Sequence, residues 1–349
     1  MAERMILPSV ASPKRDVAPH GLISGMRLSR ARSAATTASV PARVWAWPGY
    51  VTLMLGGLTA LAVPHLVDEM RYAPLVASLL LFGLPHGAVD HLVPGWVRGR
   101  PLGEVVFTAL IAGYVAVAAL GVAIWLAAPL VAIGIFFLVA AAHWGASELT
   151  WFPGQRRPIA FAAARGLVPV LVPALAFPAA FDQATKSLLS PFLSHPPGLA
   201  PTGWLRLAGV IVVAMICALG AGRGARERAE LVGLVAFFAL VQPVFAVGLY
   251  FIAWHSLRHI VRLGTLEPAA ASQIADGRPL RAIISVMRAA LPCTVAALLG
   301  LVGFGALLAV RLTSADQISA VALALIAALT IPHTLVVAWL DRVTREPRF

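Results

Sequence analysis

The sequence predicts an all-α membrane protein, a polytopic bundle of about eight transmembrane helices. Of its 349 residues, 60% are hydrophobic and only 12% are charged, and the mean hydropathy is +0.86. Soluble domains are about 45–50% apolar and about 25% charged, so we expect lipid to be the solvent for most of the surface. Several apolar runs reach the roughly 20 residues that a helix needs to cross the hydrocarbon core. They also lack the two-residue alternation of barrel strands.

Nine apolar segments follow one another at regular intervals, and each is a candidate helix. The polar connections between them are too short to fold alone, so we predict one membrane-embedded domain over residues 45–349. The segments are 47–66, 73–95, 103–127, 130–152, 158–180, 203–222, 229–262, 283–310 and 318–340.

The first 44 residues have a different composition, rich in Ser, Ala and Arg. They contain no apolar core followed by a small-residue cleavage site, so they do not resemble a secretory signal. We predict a disordered basic tail on the cytoplasmic side, attracted to anionic lipid. A translation start placed too early is the alternative explanation.

The formal net charge of +12 does not indicate nucleic-acid binding in this chain. The arginines lie in short loops and near the two ends, as the positive-inside bias of membrane proteins produces. Only Lys14 and Lys186 among the 27 basic residues are lysines, which together with the Ala, Gly and Pro content suggests a GC-rich bacterial genome. Cys217 and Cys293 stand singly in apolar runs and predict neither a disulfide nor a thiolate metal site.

The charge distribution also predicts that both termini are cytoplasmic and that the protein lies in the inner membrane. With the basic tail inside, the first four segments place Arg98 and Arg100 inside and the acidic pair Asp68 and Glu69 outside, as the charge rule requires. The arginines near the C-terminus favour the cytoplasm as well.

This arrangement requires an even number of crossings between residues 153 and 262, where three segments lie. The leading explanation is that the proline-rich segment 158–180 is broken or re-entrant. The alternative is that segment 229–262 contains a turn.

Seven of the nine histidines lie inside or at the edge of apolar segments. An ionisable side chain in a membrane span costs on the order of 2–3 kcal/mol and normally faces the bundle interior with a partner. Neutral imidazole is the commonest metal ligand, and one cation can satisfy the lone pairs of several rings. The pattern therefore predicts an intramembrane metal site. The seven are His65, His86, His91, His143, His255, His259 and His333.

Four short motifs carry most of these histidines: PHGAVDH at residues 85–91, HWG at 143–145, WHSLRH at 254–259 and PH at 332–333. On a regular helix the first His and the Asp of PHGAVDH share a face, whereas the second His lies about 140° away. The two histidines of WHSLRH are four residues apart on one face, which is the spacing of the helical zinc motif.

Each histidine has a simpler interpretation when it is taken alone. His65, close to two acidic residues, suits the membrane interface, and His333 could be a hydrogen-bonded packing residue. A single His-x-x-x-His pair is only moderately specific for metal. The set is stronger than its members because separate helices contribute them, each beside Gly, Pro or Trp.

The ordered set of four motifs within residues 75–340 resembles the Brp/Blh family of membrane β-carotene 15,15'-dioxygenases. The resemblance implies cleavage of the central double bond of β-carotene with O2 to two molecules of retinal, which supplies microbial rhodopsins. It implies Fe(2+) as the cofactor and four histidines as its ligands and as the catalytic residues. They correspond here to His86, His143, His255 and His259.

The resemblance leaves His91 and His333 outside this ligand set. We expect Asp90 to support His86 from one helical turn away, because a ligating imidazole usually donates its other N–H to a carboxylate or a carbonyl. His91 and His333 are further candidates for such a supporting role.

An all-imidazole site suits iron, copper or zinc, so ligand type alone does not select the metal. Iron is favoured because oxidative cleavage of a conjugated alkene needs O2 activation, which redox-inert zinc does not provide. Aromatic side chains near the histidine motifs offer flat walls for a polyene, although each also suits ordinary packing or the membrane interface. They are Phe82, Phe136, Phe137, Trp144, Tyr250, Phe251 and Trp254.

Three other functions stay open from the sequence. A membrane di-iron hydroxylase or desaturase would need several His-rich boxes, and this chain has one His-x-x-x-His pair. A bis-histidine haem protein or a carotenoid transporter is the second alternative, and a haem would show a Soret band. The third is a family member that binds carotenoid without cleaving it.

Overall fold

A computed structural model describes residues 39–152, 158–309 and 315–344, and these residues form a bundle of α-helices. In chain order the helices are α1 (Ser39–Ala62), α2 (Pro64–Glu69), α3 (Ala73–Ser78), α4 (Leu84–Ala88), α5 (Val93–Arg98), α6 (Glu104–Ala127), α7 (Pro129–Glu148), α8 (Ile159–Ala176), α9 (Pro178–Leu189), α10 (Gly203–Gly220), α11 (Ala225–Leu240), α12 (Pro243–Tyr250), α13 (Leu257–Gly264), α14 (Pro268–Ala275), α15 (Pro279–Ala309) and α16 (Ala315–Thr344).

The predicted all-α polytopic fold is confirmed. The described ranges contain no β-strand, and seven of their helices are long and apolar enough to cross a membrane. Helix α1, the shorter apolar helix Ala73–Ala88 and α11 fall outside that criterion and complete the bundle. The seven are Glu104–Ala127, Pro129–Trp151, Ile159–Ala176, Gly203–Gly220, Pro243–Gly264, Pro279–Gly303 and Leu323–Thr344.

The outer helices present apolar side chains to their surroundings. Along α6 and α10, Leu120, Leu126, Leu207 and Leu219 are all 60% exposed or more. A soluble protein rarely leaves so continuous an apolar surface uncovered, whereas a lipid-facing helix needs one. Helix α8, in contrast, is mostly buried among its neighbours. The bundle therefore has a lipid-facing periphery and a protein-packed centre.

The stretch between residues 153 and 262 corrects one of our expectations. The proline-rich segment 158–180 is not broken, because Ile159–Ala176 is one helix despite its two internal prolines. The turn lies instead within segment 229–262, between Leu240 and Pro243. Proline suits the first turn of a helix because its missing N–H needs no partner there. The turn that the alternative explanation called for is therefore present.

Two parts of the predictions fall at or beyond the limits of the described residues. Residues 1–38 of the predicted basic tail lie outside them, and α1 begins at Ser39, before the predicted domain boundary at residue 45. Helix α1 then leads through α2 to the first histidine-bearing segment. That segment also differs from a single span: it is helical over Ala73–Ala88 and starts a new short helix at Val93.

Two π-helical turns, Leu79–Gly83 and Phe251–Ser256, interrupt the α-helices next to histidine motifs. They pack against each other through Gly83, where a Cβ would lie 2.8 Å from a ring carbon of Phe251 and 2.7 Å from the carbonyl oxygen of Ser78. A larger residue at this position would push the two turns apart. Such π-helical turns are rare and occur frequently at functional sites.

Candidate metal centre

Five histidines from four separate segments converge at the centre of the bundle. His86 comes from α4, His143 from α7, His255 and His259 from the second π-helical turn and α13, and His333 from α16. All five are buried. Their ring centroids lie close together: 4.8 Å for 86–333, 4.8 Å for 143–255, 5.0 Å for 143–333, and 5.5 Å for 86–255 and 86–259.

The spacing of the ring nitrogens suits one metal ion. The Nε2 atoms of His143 and His255 are 3.1 Å apart, and two nitrogens at about 2.1 Å from one ion are about 3.0–3.4 Å apart when adjacent. One nitrogen from each of His86, His143 and His333 lies within 4.8 Å of the others. That is slightly wider than the roughly 4.2 Å between opposite ligands of one ion. Small movements of the rings would bring them to bonding distance.

Several of these nitrogens have no hydrogen-bond partner among the described residues. They are Nδ1 of His255, both ring nitrogens of His259 and Nε2 of His333. A buried polar atom left unpaired costs about 1–3 kcal/mol. Burial also disfavours a charged ring, and a neutral imidazole offers one lone pair. A cation among the rings would satisfy those lone pairs, which is the physical reason that the five residues fit a metal.

Glycines let the helix that carries His143 pack closely against α8. A Cβ at Gly145, in the HWG motif, would lie 2.2 Å from the carbonyl oxygen of Ala162. A Cβ at Gly166, on α8, would lie 1.8 Å from the carbonyl oxygen of Ala141. Since backbone oxygens cannot move aside alone, this crossing requires glycine on both helices. Because His143 lies between Ala141 and Gly145 in α7, the crossing fixes its position.

The support of the histidines differs from our expectation for Asp90. His333 Nδ1 lies 2.9 Å and 3.1 Å from the two carboxylate oxygens of Asp90, and the hydroxyl of Tyr114 donates to the same carboxylate at 3.2 Å. His86 Nδ1 instead lies 3.2 Å from the carbonyl oxygen of Phe82. Asp90 therefore contacts His333, not the neighbouring His86, because its side chain turns towards α16.

His91 lies apart from the other motif histidines. It is half-buried, its ring is 6.1 Å from that of Phe107, and both of its nitrogens lie 3.9 Å from the sulfur of Cys293. The structure thus brings together five of the predicted site histidines and places His91 apart from them, against Phe107 and Cys293. His65 is exposed, as an interfacial residue would be.

A buried network of charges lies behind the WHSLRH motif, and sequence reasoning missed it. Glu148 accepts hydrogen bonds from Trp254 Nε1 at 3.0 Å and from Arg258 Nη1 at 2.8 Å. Arg258 also faces Glu230 at 3.6 Å, and Glu230 is paired with Arg226. The available signal was the arginine inside a histidine motif and the glutamate at the end of an apolar span. The network holds the segment that presents His255 and His259.

Only part of the predicted aromatic wall adjoins the histidines. Phe251 stacks on His255 at 5.6 Å with an angle of 12° between the rings, and Trp144 is 6.2 Å from the same ring. Tyr250 packs behind Trp144, and Trp254 stacks under Arg258 at 3.7 Å. Two further predicted members lie elsewhere, since Phe136 and Phe137 pair with each other and Phe137 also with Phe181.

One cavity of the described bundle lies away from this centre. It has a volume of about 330 Å³ and is lined by residues such as Asp68, Phe177 and Gln242, with no histidine among them. A narrow cleft of about 10 Å³ lies between α6, α7 and α16. It is closer to the histidine cluster, because one of its lining residues, Ile331, is two positions before His333.

The fold and the centre together define a class: a polytopic membrane protein with a buried all-histidine site suited to a metal ion. Comparison with known proteins identifies the family. The family profile described as "Beta-carotene 15,15'-dioxygenase" matches residues 77–341, and the chain belongs to that family. The resemblance inferred from the motifs is confirmed.

Two curated relatives from Halobacterium salinarum are similar over most of their length. "Probable beta-carotene 15,15'-dioxygenase Blh" is 35% identical over 323 residues, which cover 84% of this chain and 91% of the relative. "Probable beta-carotene 15,15'-dioxygenase Brp" is 28% identical over 308 residues, 78% of this chain and 84% of the relative. No solved structure matches this chain.

Proposed function

We propose that this protein cleaves the central 15,15' double bond of β-carotene with O2 and releases two molecules of retinal. The observation that carries the proposal is the convergence of the motif histidines at one buried centre in a chain of this family. The proposed cofactor is Fe(2+), and its proposed ligands are His86, His143, His255 and His259.

The atoms of this reaction balance without an added reductant. One carbon–carbon double bond breaks, two carbon–oxygen double bonds form, and O2 supplies both oxygen atoms as it is reduced by the polyene. A hydroxylase or desaturase would need two further electrons from a donor. Five imidazoles around one centre in the described residues also favour a single ion over a di-iron cluster.

The side chains at the centre each have a task in this proposal. Bound iron supplies the one-electron chemistry by which O2 reacts with a closed-shell polyene. The neutral imidazoles hold the ion, and Phe251 and Trp144 present flat apolar surfaces to the conjugated chain. Burial of the site excludes water, and its depth in the bundle suits a substrate that dissolves in the hydrocarbon of the membrane.

The decisive experiment is expression in a bacterium that accumulates β-carotene. We expect the orange colour to disappear and retinal to appear in the pigment extract. His143→Ala, produced at the same level in the membrane, is the matched control and should leave the pigment intact. Persistent colour with wild-type protein in the membrane, or longer apocarotenals in place of retinal, contradicts central cleavage.

The metal is tested in the same preparation after purification. We expect about one iron per chain in the wild type and much less in each of the four histidine variants, because each ring supplies one of few coordinate bonds. Zinc in place of iron in active protein, or normal turnover in two of the four variants, contradicts the assignment.

A further inference from the structure

We propose that His333 is a fifth imidazole ligand of the metal centre, bonded through Nε2 and oriented by Asp90 and Tyr114. The inference rests on the proposed iron site and adds to it a residue that the family resemblance leaves outside the ligand set. Three observations support it: the position of the His333 ring, the contact of its Nδ1 atom with Asp90, and the absence of a hydrogen-bond partner for its Nε2 atom among the described residues.

The position of His333 is central to the cluster. Its ring centroid lies 4.8 Å from that of His86, 5.0 Å from that of His143 and 5.5 Å from that of His259. In the described residues, one ligand atom from each of His86, His143 and His333 lies within 4.8 Å of the other two, so these three side chains form a group that could hold a metal ion. A ring that only packed beside the site would not share this group of converging nitrogens.

The contact with Asp90 assigns the two ring nitrogens. Nδ1 faces both carboxylate oxygens at 2.9 and 3.1 Å, so it carries the proton and donates to them. In the neutral ring, which is the form that binds a metal, Nε2 is then the unprotonated nitrogen and carries the free lone pair. It is buried and has no hydrogen-bond partner among the described residues. A histidine that donates one N–H to a carboxylate and offers the other nitrogen to a metal is the usual arrangement of a ligating imidazole.

Tyr114 extends this arrangement by one residue. Its hydroxyl donates to Oδ2 of Asp90 at 3.2 Å, which restricts the rotation of the carboxylate. Three helical segments, α6, α16 and the turn after α4, therefore meet at the Asp90 side chain. The chain from Tyr114 to Asp90 to His333 orients the ring towards His86 and His143.

The test uses full-length protein purified in detergent, stripped of metal and titrated with Fe(II) without oxygen. Compared are the wild type, His333→Ala, Asp90→Asn and the exposed-histidine control His65→Ala. We expect His333→Ala to bind iron at least 10-fold more weakly than the wild type, Asp90→Asn to bind about 10- to 100-fold more weakly, and His65→Ala to match the wild type.

Two further measurements separate ligation from packing. His333→Ala removes a buried ring and the partner of Asp90, so the metal-free variant unfolds at a lower temperature than the metal-free wild type in either case. If His333 is a ligand, the variant also gains less thermal stability than the wild type when iron is added. Added imidazole should restore iron binding by entering the space left by the ring. A variant that gains as much thermal stability from iron as the wild type does, with no effect of added imidazole on iron binding, shows a packing role and overturns the proposal.

The outcomes also distinguish the two proposals. Wild-type affinity in His333→Ala contradicts the role of His333 and leaves the four-histidine iron site standing. A wild-type protein that binds no metal under any condition contradicts the proposed function itself.

Discussion

At the scale of single residues, the buried charges behind the metal centre are as constrained as the histidines. Glu148 and Arg258 are both almost fully buried and bond each other at 2.8 Å. The guanidinium of Arg258 also lies over the Trp254 ring at 3.7 Å. These contacts surround His255 in sequence, since Trp254 precedes it and Arg258 follows three positions later. The pair therefore ties α7 to α13, which follows directly on the π-helical turn.

We predict that Glu148→Gln destabilises the protein and loosens the metal centre. Removing one charge of a buried pair leaves the other uncompensated, which costs about 3–5 kcal/mol. The amide retains the hydrogen-bonding shape, so about 3 kcal/mol is the expected loss of unfolding free energy. The measurements are thermal unfolding in detergent and iron affinity, both of which should fall.

The control for this prediction is Glu104→Gln. Glu104 is exposed at the start of α6, where loss of its charge costs at most about 1 kcal/mol. If the two variants were equally stable, the charge of Glu148 would contribute nothing to the free energy of unfolding beyond the hydrogen bonds that the amide retains.

The family resemblance implied the four proposed iron ligands, whereas residue spacing alone predicted contacts only between residues that are close in the chain. The four proposed iron ligands stand in short motifs, and the two in WHSLRH lie on adjacent turns. The pair formed by Asp90 and His333 is separated by 243 positions, and no spacing rule connects such residues. The expectation that Asp90 serves His86 followed helix geometry and was wrong because a tertiary contact directs the carboxylate to another helix.

At the scale of elements, the crossing of α7 and α8 positions the HWG motif. Two glycines, one on each helix, face a carbonyl oxygen of the other helix at distances that exclude a Cβ. Close approach through small residues is how membrane helices gain packing contacts when the hydrophobic effect does not drive their association. The same contact sets the depth of His143.

We predict that Gly166→Ala disrupts this crossing. The new Cβ would lie 1.8 Å from the carbonyl oxygen of Ala141, so α7 must shift and carry His143 with it. Iron affinity and the unfolding temperature should both fall, and β-carotene cleavage should be lost. Iron titration, thermal unfolding and retinal production measure the three effects.

Gly134→Ala on α7 is the matched control, since a Cβ there meets no atom within 4 Å. It should equal or slightly exceed the wild type in stability because alanine favours the helix. If Gly166→Ala behaves like Gly134→Ala, the crossing tolerates separation and does not position the histidine.

The spans themselves followed from the sequence where apolar runs end at polar or proline-rich stretches. Segment 103–127 is the helix Glu104–Ala127, and segment 203–222 is Gly203–Gly220. The turn inside segment 229–262 was harder to place, because hydropathy is continuous through Val241. Gln242 and Pro243 were the only sequence signals of this turn. A proline in an apolar run does not by itself indicate a turn, because Pro169 and Pro173 lie inside the unbroken helix α8.

At the scale of the whole molecule, the turn between α11 and α12 bears on the number of crossings. Apart from the short helix α9, four helices lie between residues 153 and 262, namely α8, α10, α11 and α12 with its continuation α13. Three of them are long and apolar enough to cross a membrane, and α11 is not among those three. An even number of crossings therefore requires that α11 crosses as well. The cavity of about 330 Å³ supports the arrangement, since Asp68, Phe177 directly before α9, and Gln242 line it together. These three positions therefore lie at one end of the bundle.

We predict that Asp68 and the α11–α12 turn face the periplasm and that Arg278 and both termini face the cytoplasm. Single cysteines at Asp68, Leu240 and Arg278, in a background with Cys217 and Cys293 replaced, report the sides through a membrane-impermeant maleimide. Asp68→Cys and Leu240→Cys should react in intact cells, and Arg278→Cys only after the membrane is opened, because arginine-rich loops are retained inside. A C-terminal alkaline phosphatase should be inactive. An active fusion, or a Leu240→Cys that reacts together with Arg278→Cys, would show that α11 does not cross and that the even count is wrong.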